Sequence, residues 1–144
     1  MLREQFLQIL KEFSDLNGQH LEPDEQTDTV SFFVDEEVLI NLRYLDESDN
    51  VLIFSPVGGF GPLTQPDAGA KAIALLKLTD IGAACGDITL ALDGNAQLVL
   101  AIDRRSALTI SSVDALSAWI EIIVRAVRTA REHFAENFPV QGDE

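Results

Sequence analysis

The chain has 144 residues, of which 47% are hydrophobic and 24% are charged, a composition typical of one globular domain with a buried core. The formal net charge of −14 makes nucleic acid and anionic membranes poor candidate partners, because both would be repelled. No apolar run approaches the roughly 20 residues that a membrane span needs. The single cysteine excludes an intramolecular disulfide, and the N-terminus lacks a signal-peptide core, so we expect a cytoplasmic protein.

The chain begins with a predicted helix over residues 2–16. Its apolar residues recur at helical spacing, and Gly18 favours its end. The stripe consists of Leu2, Phe6, Ile9, Leu10, Phe13 and Leu16. Leu7 lies outside it. The polar segment 19–28 contains Pro23 and is predicted to be a loop.

Three short apolar runs follow, over residues 30–34, 38–45 and 51–57. They are rich in β-branched and aromatic residues, and acidic or turn-forming residues separate them. The connections are too short for a helix, so the runs are predicted to form an antiparallel meander. In the middle run, Val38, Ile40, Leu42 and Tyr44 alternate with Leu39, Asn41, Arg43 and Leu45, which predicts one core face and one mixed outer face.

A second helix is predicted from about residue 66 to residue 80. It is rich in alanine and apolar on nearly all sides, so one side is expected to face the sheet and the other a second subunit. The residues predicted at this dimer interface are Ala72, Ile73, Leu75 and Leu76.

The C-terminal part is predicted to contain two strands and a long helix. Asp93-Gly94 is a strong hairpin signal between two alternating apolar runs, and Ser111-Ser112 precede a helical stripe from Val113 to Phe134. Residues 139–144 are expected to be a short disordered tail after a single domain over 1–138. The predicted fold class is α+β, with the order α-β-β-β-α-β-β-α and an antiparallel five-stranded sheet packed with helices.

No motif for catalysis, metal binding or cofactor binding is present, so we expect neither an enzyme nor a cofactor. His20, His133 and Cys85 have no recognisable nucleophile or metal context. The glycines of residues 58–61 lack both the P-loop ending and the dinucleotide-binding spacing. The run 46–57 has the first ligand offsets of a calcium loop but lacks its glycine and its final glutamate.

Negative charge is concentrated between Asp15 and Asp49, where Arg43 is the only basic residue. This acidic rim has two interpretations: a solvated edge that keeps the meander soluble, or a field that steers a basic partner.

The chain resembles the class I chaperones of bacterial type III secretion, the Tir-chaperone type, over about residues 2–137. The similarity lies in the strand Val30–Val34 running into its acidic turn, the strand from Val51 to the glycine loop at Phe60, the C-terminal hairpin and the closing helix. The resemblance implies a cytoplasmic homodimer with the middle helix at its interface. It also implies binding of the N-terminal segment of a secreted effector in extended form, delivery to the secretion apparatus and its ATPase, and no hydrolysis by the chaperone itself.

The candidate effector-binding residues are apolar positions that one sheet face cannot all hide. They are Leu7, Phe32, Val34, Leu39 and Leu45, and for each the alternative is ordinary core. A regulatory or adaptor protein of the same fold, binding a folded partner, is the second functional hypothesis, and a small enzyme is the third.

Overall fold

The computed structural model describes residues 2–18, 21, 23, 29–79 and 88–138. Its elements follow the predicted order, which confirms the α+β fold. They are α1 (Leu2–Leu16), β1 (Thr29–Val34), β2 (Val38–Leu45), β3 (Asn50–Gly59), α2 (Ala68–Leu78), β4 (Thr89–Asp93), β5 (Leu98–Ser106), a 3₁₀ turn (Ala107–Thr109) and α3 (Val113–Asn137). The expected tail 139–144, His20 and Cys85 lie outside the described residues.

The five strands form one antiparallel sheet in the order β1-β2-β3-β5-β4. The predicted meander is therefore β1, β2 and β3, and the second hairpin joins it because β5 pairs with β3. Strands β1 and β4 are the two edges of the sheet.

One face of the sheet packs against the helices. On β2, Val38, Ile40, Leu42 and Tyr44 are all buried, which confirms the core face that their alternation predicts. The ring of Phe6 in α1 lies 5.8 Å from that of Tyr44 between centroids. Burying these side chains stabilises the fold by roughly 1.5–3 kcal/mol each.

Helix α3 crosses the middle of the same face. Its Trp119 is completely buried, and the indole Nε1 donates a hydrogen bond of 2.7 Å to Asp103 of β5. Leu116, Ile123 and Val127 are also completely buried. Ser112 caps the start of the helix, with its side-chain oxygen accepting from the amide of Ala115 at 3.1 Å.

The C-terminal half of α3 holds an irregular part of the sheet. Strand β3 has a register shift between Pro56 and Gly58. The guanidinium of Arg131 donates to the carbonyls of Val57 (2.8 Å), Pro56 (3.2 Å) and Glu37 (3.1 Å). The bonds to Val57 and Pro56 satisfy carbonyls at the register shift, and the bond to Glu37 connects this part of β3 to the β1–β2 turn.

Helix α2 lies at the β4 edge, on the helix side of the sheet. Leu75 and Leu78 are buried in the core, and the hydroxyl of Thr79 accepts from the amide of Leu90 at 3.3 Å. Lys71 Nζ donates to the carbonyl of Phe60 at 3.1 Å, which fixes the helix to the loop before it. No helix in the described part of the chain is both long and apolar enough to cross a bilayer.

Candidate functional site

The second face of the sheet, here called the outer face, is open. Its side chains alternate with those of the core face, and none of them is buried, because every described helix packs on the other side. On β1, β2 and β3 the outer face carries Ser31, Phe33, Leu39, Asn41, Arg43, Leu45, Leu52, Phe54 and Pro56. On β5 and β4 it carries Leu98, Leu100, Ile102, Arg104, Thr89, Ala91 and Asp93.

Apolar side chains of β1, β2, β3 and β5 form a belt across this face. Phe33 of β1 pairs with Leu39 of β2, and Phe54 of β3 pairs with Ile102 of β5. The apolar belt consists of Phe33, Leu39, Leu52, Phe54, Pro56, Leu100 and Ile102. Phe33 is 57% exposed. The other six are half-buried, so each leaves part of its surface on this open face. A partly exposed apolar surface shared by several strands is a candidate interaction site, since isolated domains rarely expose a large one.

A polar row in the outer face is rigidly held. The hydroxyl of Ser31 donates to Asn41 Oδ1 at 2.6 Å, and Asn41 Nδ2 donates to the carbonyl of Phe54 at 3.2 Å. The amide of Asn41 therefore lies flat between its neighbouring strands, and its polar groups are used within the sheet.

The charged residues of the outer face are Arg43, Arg104 and Asp93. Asp93 sits at the corner beside the β4–β5 turn, where its Oδ1 accepts from the amides of Asn95 and Ala96, both at 3.1 Å. The two arginines are exposed and lie in one row on either side of Leu52, because Leu52 pairs with Arg43 on β2 and with Arg104 on β5.

In the structure, the five predicted effector-binding residues lie in three different environments. Leu39 and Leu45 lie on the outer face. Leu7 and Val34 are half-buried and pack against the core on the helix side. The placement of Phe32 on an exposed patch is corrected: it is 7% exposed and its ring lies 5.6 Å from that of Phe13. The role of each in binding stays a prediction.

Most of the apolar belt was not among the predicted site residues. The signal that identifies it is present in β3, where Val51, Leu52, Ile53 and Phe54 are apolar without a polar alternate, and it recurs in β5. An antiparallel strand that is apolar on both faces, with helices on only one of them, must leave one apolar face open.

The outward side of α2 is a second exposed apolar surface. Ile73 is 56% exposed, Leu76 is 69% exposed, and Ala72 is exposed beside them. Leu75 lies on the opposite side and is only 6% exposed within the chain itself. Its predicted place among the interface residues is therefore corrected to the core, while the role of the other three stays a prediction.

The ionisable groups of the described residues include one with a strongly shifted pKa and form no cluster suited to a metal ion. No group of three or more histidine, cysteine, aspartate or glutamate side chains in this part of the chain is placed to hold a metal ion. Burial, reinforced by a 2.6 Å hydrogen bond to Asp49, raises the pKa of Tyr44 from its usual 10.0 to about 12. Its hydrogen bond holds the β2–β3 turn.

The protein is thus a five-stranded antiparallel sheet with helices on one side and an apolar belt on the other, and the belt is its candidate binding surface. The sequence model of the Tir chaperone protein (CesT) family matches residues 8–131, and the chain belongs to this family. A comparison with curated protein sequences gave no match.

Several solved structures share this fold. A chain of the HopA1–SchA chaperone–effector complex has a TM-score of 0.66 and 22% identity, over 88% of this chain and 93% of that chain. A chain of the ExsC–ExsE complex has a TM-score of 0.67 and 19% identity, over 87% and 90%. A chain of the complex between the Yersinia pestis type III secretion chaperone SycH and a stable fragment of YscM2 has a TM-score of 0.61 and 19% identity, over 85% and 96%.

Proposed function

We propose that this protein is a cytoplasmic type III secretion chaperone. It binds the N-terminal segment of a secreted effector in extended form and helps to deliver it to the secretion apparatus. Membership of the Tir chaperone family supports this function, as does the similarity to a chaperone–effector complex and to a type III secretion chaperone bound to a protein fragment. The observation that carries the proposal is the apolar belt on the outer face, which no described element covers.

The outer face suits an extended segment. One stretch of such a segment can lie across the outer face, where its side chains contact Phe33, Leu39 and Phe54. Another stretch can bond through its main chain to the edge of β1. Ordering an unfolded segment is costly, so a large apolar area must be buried to offset that cost, on the order of 1,000–3,000 Å². Binding is therefore expected to show a markedly negative change in heat capacity.

The chaperone is a homodimer in this proposal, with α2 at the interface. The exposed side chains of Ile73 and Leu76 lie one helical turn apart and form the centre of the contact, with Ala72 beside them. A two-fold symmetric dimer would bring the same patch of both subunits together and would provide two outer faces for one effector segment. The secretion ATPase is a further partner of the complex in this proposal, and the chaperone itself catalyses no reaction.

Purification of the tagged full chain from its native host tests the function directly. We expect it to retain a secreted protein, and limited proteolysis of the complex to leave a protected region of that protein near its N-terminus. Phe33→Asp, on the outer face, should abolish the association while leaving the fold intact, since this side chain is already exposed. Leu108→Asp is the matched control, because Leu108 is 70% exposed but lies in the 3₁₀ turn beside α1.

Two outcomes would contradict the proposal. If the protein is recovered only with a folded regulator, and never with a secreted protein, the adaptor function replaces it. If Phe33→Asp and Leu108→Asp retain the partner equally well, the outer face is not where the effector binds.

A further inference from the structure

Two arginines lie at one end of the apolar belt, on the proposed binding face of a strongly acidic protein. Arg43 and Arg104 flank Leu52 in one row of the sheet, in a chain whose net charge is −14. They are separated by two strand spacings, about 10 Å between backbones. Both side chains are exposed on the same side of the sheet as the apolar belt.

Neither arginine has an ion-pair partner within the described residues. Other arginines of this chain do: Arg3 pairs with Asp46 at 2.9 Å, and Arg128 pairs with Asp35 at 2.7 Å. Arg43 and Arg104 are therefore available to a ligand, whereas Arg3 and Arg128 form ion pairs within the fold.

Three described carboxylates near the outer face are already engaged. Asp46 is held by Arg3, and Asp49 accepts the hydrogen bond from Tyr44. Asp93 bonds to two amides of its own turn. Glu47, in the exposed β2–β3 turn, is the remaining acidic residue of that turn and lies beyond the ends of both strands.

We propose that the effector segment bound on the outer face carries acidic residues among its apolar ones, and that Arg43 and Arg104 select them. This inference rests on the proposed function and specifies the chemistry of its ligand. Residues two apart on one side of an extended segment are about 7 Å apart, and residues four apart about 13 Å, so the two flexible arginines match either spacing. A bound segment would cover Leu52 between them and shield both ion pairs from solvent, which strengthens them.

Three synthetic peptides separate this inference from the function on which it rests. Each is a fluorescein-labelled segment with the same alternation of leucine, phenylalanine and serine, and they differ only in a central pair of glutamates, glutamines or lysines. Fluorescence anisotropy with the full chain measures their dissociation constants at low and high salt. We expect the glutamate peptide to bind about three- to tenfold more tightly than the glutamine peptide, and the lysine peptide to bind most weakly.

The double variant Arg43→Gln/Arg104→Gln tests whether these two arginines cause the preference for the glutamate peptide. It should bind the glutamate and glutamine peptides equally, with the affinity of the wild type for the glutamine peptide. Arg125→Gln is the control, since Arg125 is exposed on α3, on the opposite side of the sheet. High salt should reduce the wild-type preference as the ion pairs are screened.

Equal binding of the glutamate and glutamine peptides by the wild type would overturn the inference and leave the proposed function standing. Preference for the lysine peptide would also overturn it and would favour steering by the acidic rim. A glutamate preference that persists in the double variant would show that other residues select the ligand. If none of the peptides binds, the outer face does not recognise extended apolar segments, and the inference and the proposed binding site fail together.

Discussion

Adjacent leucines of α2 provide a sharp test of the proposed dimer. Leu76 is 69% exposed in the single chain and Leu75 is 6% exposed, so the same substitution at the two positions has different expected effects. Leu76→Asp should give a folded monomer. Leu75→Asp should prevent folding, because it places an unpaired charge in the core at a cost comparable with the total stability of about 5–15 kcal/mol.

The strength of the effect at Leu76 follows from its exposure. Complete burial of a leucine side chain stabilises by roughly 1.5–3 kcal/mol, so burial of its exposed two thirds contributes about 1–2 kcal/mol per subunit. In a two-fold symmetric interface this contribution occurs twice, about 2–4 kcal/mol for the dimer. Loss of the leucine alone should therefore weaken the dimer roughly 30- to 700-fold, before the cost of two buried carboxylates is added.

Sedimentation equilibrium over a range of protein concentrations measures the dissociation constant, and thermal unfolding by circular dichroism measures the fold. The wild type should be a dimer at micromolar concentration, Leu76→Asp a monomer with a native spectrum, and Leu108→Asp a dimer. A monomeric wild type would refute the reasoning. So would a Leu76→Asp variant that associates as strongly as the wild type.

Two further predictions concern single polar groups in the core. The hydroxyl of Ser55 is completely buried with no hydrogen-bond partner among the described residues. Ser55→Ala should therefore raise the free energy of unfolding by about 1 kcal/mol, measured by urea titration. A loss of stability would contradict this prediction. Tyr44 is the only tyrosine, so absorbance near 295 nm reports its ionisation, which should have its midpoint at about pH 12, and Asp49→Asn should lower that midpoint. The folded protein holds this proton more tightly than the unfolded chain, whose tyrosine pKa is about 10. The resulting stabilisation is fully present below about pH 10 and is lost as the pH rises through about 12. A wild-type midpoint near pH 10 would contradict the prediction.

The order of the elements and the core face of β2 could be predicted from the sequence. These features depend on local information: the alternation of Val38, Ile40, Leu42 and Tyr44 with less apolar residues, and the acidic turns that are too short for a helix. The position of α1 also follows from local spacing, although Leu16, the last residue of its predicted stripe, is exposed.

Which of two neighbouring apolar residues faces the core could not be predicted, because it depends on packing between distant elements. Phe32 and Phe33 are equivalent in the sequence, and so are Ile53 and Phe54; the pattern shows that one of each pair is inward without showing which. The packing of α1 and α3 places Phe32 and Ile53 in the core, and strand alternation then places Phe33 and Phe54 on the outer face. Leu75 and Leu76 are divided in the same way by the contact of α2 with β4. The physical reason is that hydrophobicity fixes how much surface a side chain gains by burial, whereas the partner that buries it comes from a distant part of the chain.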